Sequence, residues 1–152
     1  MTKYPSGMDY VWIGSDKDGF LAAFVTGGFG SIPLAALEDA ALPLENVEPL
    51  LAEMPSVSKA NLLVSYPRPD DFIAIAEKGF FVYDWADTHR VERDYTRKYE
   101  MVAAPTSPVP LQKLPSLLQV SARRIKFNFP FSEEILINIK DNFQPHEICA
   151  PT

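Results

Sequence analysis

The sequence predicts a single α+β domain, built on a mostly antiparallel β-sheet with helices packed on one side. Three observations carry that expectation. Short runs rich in β-branched and aromatic residues outnumber the helical ones, and some follow one another as hairpins. A chain of 152 residues, 47% of them hydrophobic, suits one core, enough to bury roughly two-thirds of the unfolded surface. Charged residues make up 22% and aromatics 12%, far from the balance of a disordered chain. One domain is expected over 1–152, with residues 1–8 and 145–152 loosely ordered.

Tyr10-Val11-Trp12-Ile13-Gly14-Ser15 reads as a strand and Phe20 to Val25 as its hairpin partner, both apolar on alternate and intervening positions. Asp16-Lys17-Asp18-Gly19 between them has turn chemistry. After Gly27-Gly28-Phe29-Gly30, Pro33 opens a helix carrying Leu34, Leu37 and Ala41 and ending before Pro43. A second helix over 45–54 buries Val47, Leu50 and Leu51. Asn61 to Tyr66 is a short strand stopped by Pro67 and Pro69. Asp70 and Asp71 favour a helix start through the dipole, and Gly79 suits its end. Phe80 to Trp85 is the central strand, with Arg97 to Ala103 as its partner. Leu114 to Ala122 is helical with Leu117 and Leu118 buried. Arg123 to Phe131 alternates as an amphipathic strand with Ile125, Phe127, Phe129 and Phe131 on one face. Ile135, Ile137 and Ile139 repeat that alternation.

Charge is unevenly spread. Residues 1–89 hold 13 acids against 5 bases, a net of −8, whereas residues 90–152 hold 7 against 9, a net of +2. Seven acids lie between Asp16 and Glu53 against the one base Lys17. Such a face repels nucleic acid and attracts a basic protein, although it also serves plain solubility. The one cysteine, Cys149, allows no internal disulfide. The first residues lack the apolar core of a signal peptide, and no apolar run reaches the length of a membrane span. A cytoplasmic, non-membrane protein is the expectation.

Motifs that would carry chemistry are weak. Gly27 to Gly30 lacks the glycine spacing of a dinucleotide fingerprint and the Gly-Lys-Ser/Thr of a Walker loop. A strand-to-helix connector explains it as well. Asp16 to Gly19 lacks the remaining ligands of a calcium loop. His89 and His146 form no local metal motif, and no Gly-x-Ser-x-Gly is present. No cofactor or metal is expected. The densest polar cluster is Tyr83-Asp84-Trp85-Ala86-Asp87-Thr88-His89-Arg90. Either Asp87 caps a turn and pairs with Arg90 or Arg93 while Trp85 packs in the core, or Tyr83, Trp85, Asp87, His89 and Arg90 form a binding hot spot.

Two stretches carry a resemblance. Tyr10-Val11-Trp12-Ile13-Gly14-Ser15-Asp16-x-Asp18-Gly19, followed by Phe24-x-Thr26-x-Gly28-x-Gly30-x-Ile32-Pro33, is the first. Phe81-x-Tyr83-Asp84-Trp85-x-Asp87-x-His89-Arg90, with Tyr95 and Tyr99, is the second. Together they resemble a group of small acidic bacterial proteins, similar to immunity proteins of interbacterial toxin systems. The resemblance spans most of residues 8–120 and reduces to a strand pattern beyond. It implies a role, neutralising a toxin, and no catalytic residues.

The expectation that follows is a non-enzymatic cytoplasmic protein that occludes the active site of a basic cognate toxin domain. Asp16, Asp18, Glu38, Asp39, Glu45, Glu48, Tyr83, Trp85, Asp87, His89 and Arg90 are its candidate contact residues. Two alternatives stand beside it. One is a small enzyme or nucleotide-binding domain using the Gly27–Gly30 loop and Asp87, His89 and Arg90. The other is a structural homo-oligomeric subunit.

Overall fold

The strands β1 (Val11–Ser15) and β2 (Leu21–Val25) are buried at every position, because their residues are apolar on both faces. A sheet built on them has to be covered twice. A computed structural model of the chain describes residues 3–86 and 97–151, and in it the two covers differ in kind.

After the β1–β2 hairpin come β3 (Ile32–Pro33), α1 (Leu34–Leu37), α2 (Val47–Glu53), β4 (Ala60–Leu62) and α3 (Asp70–Glu77). The chain then returns as β5 (Phe81–Ala86) and β6 (Lys98–Pro105), followed by α4 (Ser116–Arg124), β7 (Leu136–Ile137) and β8 (Ile148–Cys149). The main sheet has the order β1-β2-β5-β6-β4, with β7 also on β6. Its pairs are antiparallel except β2–β5, which is parallel. The sheet is therefore mixed, and β5 is central as the sequence suggests. A small second sheet joins β3 to β8. In β6, Val102 is an extra residue between the pairs Val82↔Ala103 and Tyr83↔Met101, a bulge that turns both Val102 and Ala103 toward the helices.

On one face, Ile13, Leu21, Ala23, Val82 and Val102 pack against Val47 and Leu51 of α2, Ile75 and Ala76 of α3, and Leu118 and Ala122 of α4. On the other face Trp12, Phe24, Tyr83 and Met101 form a row across β1, β2, β5 and β6. Trp12 stacks on Phe24 at 4.0 Å and Phe24 on Tyr83 at 5.1 Å. Each such pair adds about 0.5–1.5 kcal/mol beyond its burial. The C-terminal segment covers this row with Phe127, Phe131, Ile137 and Ile139.

The polar tips of Trp12, Tyr83 and Tyr99 in this aromatic layer are engaged. Trp12 Nε1 donates to Tyr99 Oη at 3.1 Å, and Tyr99 Oη donates to Ser31 O at 2.8 Å. Tyr83 Oη donates to Glu134 O at 2.6 Å. Burial holds both phenols well above their usual range, with Glu134 and Asp16 adding to the rise at Tyr83. Gly30 has to be glycine here: a Cβ would stand 2.5 Å from Tyr99 Oη.

Several expectations are corrected. The helix after Pro33 stops at Leu37, since the Asp39 carboxylate draws in the N–H groups of Ala41 and Leu42, each at 3.1 Å. The strand expected at 61–66 is the shorter β4, with Leu62 and Leu63 exposed. Leu117 lies on the outer side of α4 and is exposed. The stretch expected to be a strand over 123–131 is different: Arg123 and Arg124 complete α4. Beyond them an extended segment touches the edge of β1 through Ser15 N to Ile125 O and Phe127 N to Ser15 O, both 2.9 Å. Its alternation is real, with Ile125, Phe127 and Phe131 buried, but it seals a core rather than extending a ladder. Ile137 and Ile139 are buried while Ile135 is exposed. Near the ends of the described residues, Tyr4 Oη donates to Gly30 O at 2.6 Å, and Cys149 pairs with Ile32 in the second sheet.

Asp16 organises the hairpin end, where Gly19 takes φ 84°. Its Oδ1 accepts from Asp18 N and Phe20 N, and its Oδ2 from Phe131 N, all at 2.9 Å. Asp16→Ala is expected to cost about 3 kcal/mol, as buried donors to a charged group lose their acceptor; the fall in urea midpoint measures it. Tyr99→Phe leaves the Trp12 N–H unpaired and is expected to cost about 1–3 kcal/mol, read as a lower midpoint with an unchanged denaturant slope.

Candidate functional site

The expected contact residues divide sharply by burial. Asp16, Asp39 and Tyr83 are 1%, 4% and 0% exposed. None of the three can meet a partner, and the reason is internal bonding. Asp16 holds the hairpin turn to Phe131, and Tyr83 bonds the C-terminal segment. Asp39 pairs with Arg124 at 3.3 Å besides closing its own loop. Asp18, Glu38, Glu45 and Glu48 are exposed. Trp85 is half-buried, with its ring edge-on to Tyr99 at 5.1 Å. Its Nε1 is buried and meets no acceptor among the described residues. Asp87, His89 and Arg90 lie outside the described residues.

Three of these exposed acids, Glu38, Glu45 and Glu48, line two clefts, while Asp18 lies on neither. The first, of about 290 Å³, is bounded by Tyr10, Leu37, Glu38, Pro43, Leu44 and Glu45. The second, of about 370 Å³, runs between α2 and α3. Glu48 and Asp71 stand on its two helices, and Leu51, Ala52, Ala74 and Ile75 form an apolar floor. Glu45 and Glu48 are three residues apart in sequence, one on the wall of each cleft.

Both acids of the second cleft sit in the first turn of their helices, where backbone N–H groups favour negative charge. Glu48 nevertheless has its carboxyl held above the usual carboxylate range. Desolvation in the cleft is the main cause, followed by the charges of Asp71 and Asp9. Lys78 also lines the cleft but does not neutralise this end. Its Nζ donates to Met54 O at 2.6 Å and Ala52 O at 3.4 Å, at the C-terminal end of α2. The cleft is thus acidic at one end, apolar along its floor, and closed by an engaged ammonium at the other.

The glycine loop is occupied with itself. Gly27 N donates to Asp9 Oδ1 at 2.9 Å and Gly28 N to Thr26 Oγ1 at 3.3 Å. Phe29 N and Gly30 N both donate to Thr26 O. Those N–H groups cannot cradle a phosphate while so engaged, and the Asp9 carboxylate repels one. Among the described residues, no three His, Cys, Asp or Glu side chains converge as a metal ion requires, and no helix is long and apolar enough to cross a membrane.

Asp71, Lys78 and the apolar floor are the part of the cleft that sequence reasoning missed. The first-turn acids Asp70 and Asp71 are visible as a helix start, but nothing local says that α3 lies beside α2. The shared spacing of Leu51 and Ile75 on their inward faces is the only hint.

The raised carboxyl has a consequence for pH. The folded chain binds the Glu48 proton more tightly than the unfolded chain does, so stability falls as pH rises through and above the ordinary glutamate range. Glu48→Gln is therefore expected to melt at a higher temperature than the parent chain at neutral pH. That advantage is expected to shrink as pH falls and to disappear at about pH 3, below the ordinary glutamate pKa of about 4.3; paired thermal melts across pH check it. No protein family, curated protein or solved structure matches the chain in comparison with known proteins.

Proposed function

We propose that this chain is a non-enzymatic binding protein that neutralises a basic toxin domain, in the manner of an immunity protein. The observation that carries this reading is the concentration of exposed carboxylates, Glu38, Glu45, Glu48 and Asp71, on the walls of two clefts. Apolar surface lies beside each of them, so a partner gains both charge pairing and desolvated contact area. Active-site clefts that act on phosphodiesters carry clustered cations, and an acidic surface of this kind both steers such a protein and covers its cleft. The location proposed with this role is the cytoplasm, which the single thiol of Cys149 permits.

The test pairs the chain with the C-terminal domain encoded by its upstream neighbouring gene. Co-expression is expected to restore growth that the domain alone arrests. The association rate of the purified pair is expected to fall about tenfold or more from low to high salt. Growth arrest unchanged by co-expression sinks the neutralising role, and a flat salt profile sinks its electrostatic part.

A further inference from the structure

The α2–α3 cleft has a shape and charge order that select one kind of side chain. We infer that it receives an arginine side chain of the bound protein, an inference that rests on the toxin-neutralising reading above. The floor behind the two carboxylates is apolar over about one helical turn, from Glu48 to Ala52 on α2 and from Asp71 to Ile75 on α3. One turn is about 5–6 Å, close to the length of the aliphatic stem of Arg or Lys. Such a stem covers Leu51, Ala52, Ala74 and Ile75 while its charged head reaches Glu48 and Asp71.

Three properties of the site favour a guanidinium. Glu48 and Asp71 come from different helices and stand close enough for their charges to interact, and two separate carboxylates suit a planar group with five donors better than a compact ammonium. A guanidinium is also the more weakly hydrated cation and loses less on entering an apolar-floored cleft. Lys78, the one cation among the described residues of the lining, is turned to the carbonyls of Ala52 and Met54 and leaves the acidic end to an incoming charge. A divalent metal is a poorer fit, since two carboxylates over an apolar floor supply too few oxygen ligands. The reluctance of Glu48 to ionise beside Asp71 agrees with this, because a bound cation removes that repulsion.

The probe is N-acetyl-arginine amide, titrated into the isotope-labelled full chain and followed by amide chemical shifts, with N-acetyl-lysine amide in parallel. The arginine probe is expected to give saturable shifts at Leu51, Ala52, Ala74 and Ile75, with a dissociation constant on the order of millimolar. The lysine probe and the Glu48→Gln chain are each expected to bind about fivefold more weakly or worse. Shifts scattered over the surface, equal response to both probes, or unchanged binding by Glu48→Gln overturn the assignment. In the toxin complex, Glu48→Gln with Asp71→Asn is expected to raise the dissociation rate about tenfold. Undiminished affinity there overturns the arginine site and leaves toxin neutralisation standing. Failure of the parent chain to neutralise overturns the function itself, and saturable arginine-probe binding then no longer stands for a partner contact.

Discussion

Everything in this molecule follows from a sheet that is apolar on both faces. Strands β1 and β2 leave no polar side to water, so the chain has to lay material over the sheet twice. Helices α2, α3 and α4 provide one cover through aliphatic contacts. The other cover is made of short pieces, β7, the β3–β8 pair and single 3-10 turns, and it closes over aromatic rings instead. Irregular backbone brings carbonyls and N–H groups into a buried setting, where each needs a partner. The tips of Tyr83 and Tyr99 and the carboxylate of Asp16 supply several of them, bonding Glu134 O, Ser31 O and Phe131 N. The polar groups inside this protein thus serve the less regular of its two layers.

The same logic sorts its acids. A carboxylate with several backbone donors is stable inside, and Asp16 and Asp39 are held that way. Other carboxylates stay at the surface, and Glu38, Glu45 and Glu48 stand along the clefts beside α1 and α2. Acidic composition alone does not distinguish the two groups. Their difference is a matter of which backbone N–H groups the fold delivers to each side chain.

Much of the fold was legible from local chemistry. The hairpin at Asp16–Gly19, the helix opened by Asp70 and Asp71, and the central position of Phe81–Ala86 all rest on turn residues, caps and uninterrupted apolar runs. Local chemistry failed where tertiary geometry decides. Alternation at Ile125, Phe127 and Phe131 marks burial on one side but does not say whether a neighbouring strand exists. The candidate site was legible in half. Glu48 stood out in an acidic run, whereas Asp71 and the floor depend on α3 packing beside α2 after a long excursion of the chain. A composition-based reading also placed Asp16, Asp39 and Tyr83 outside, since backbone acceptors and donors distant in sequence are invisible to it.

The bond from Phe131 N to Asp16 Oδ2 joins residues 115 positions apart. During synthesis the aromatic row of β1, β2 and β5 is complete long before the segment that covers it leaves the ribosome. For that interval Trp12, Phe24 and Tyr83 present a flat apolar surface to whatever is nearby. The order of elements along this chain therefore leaves the covering of half of its core to the last segment synthesised.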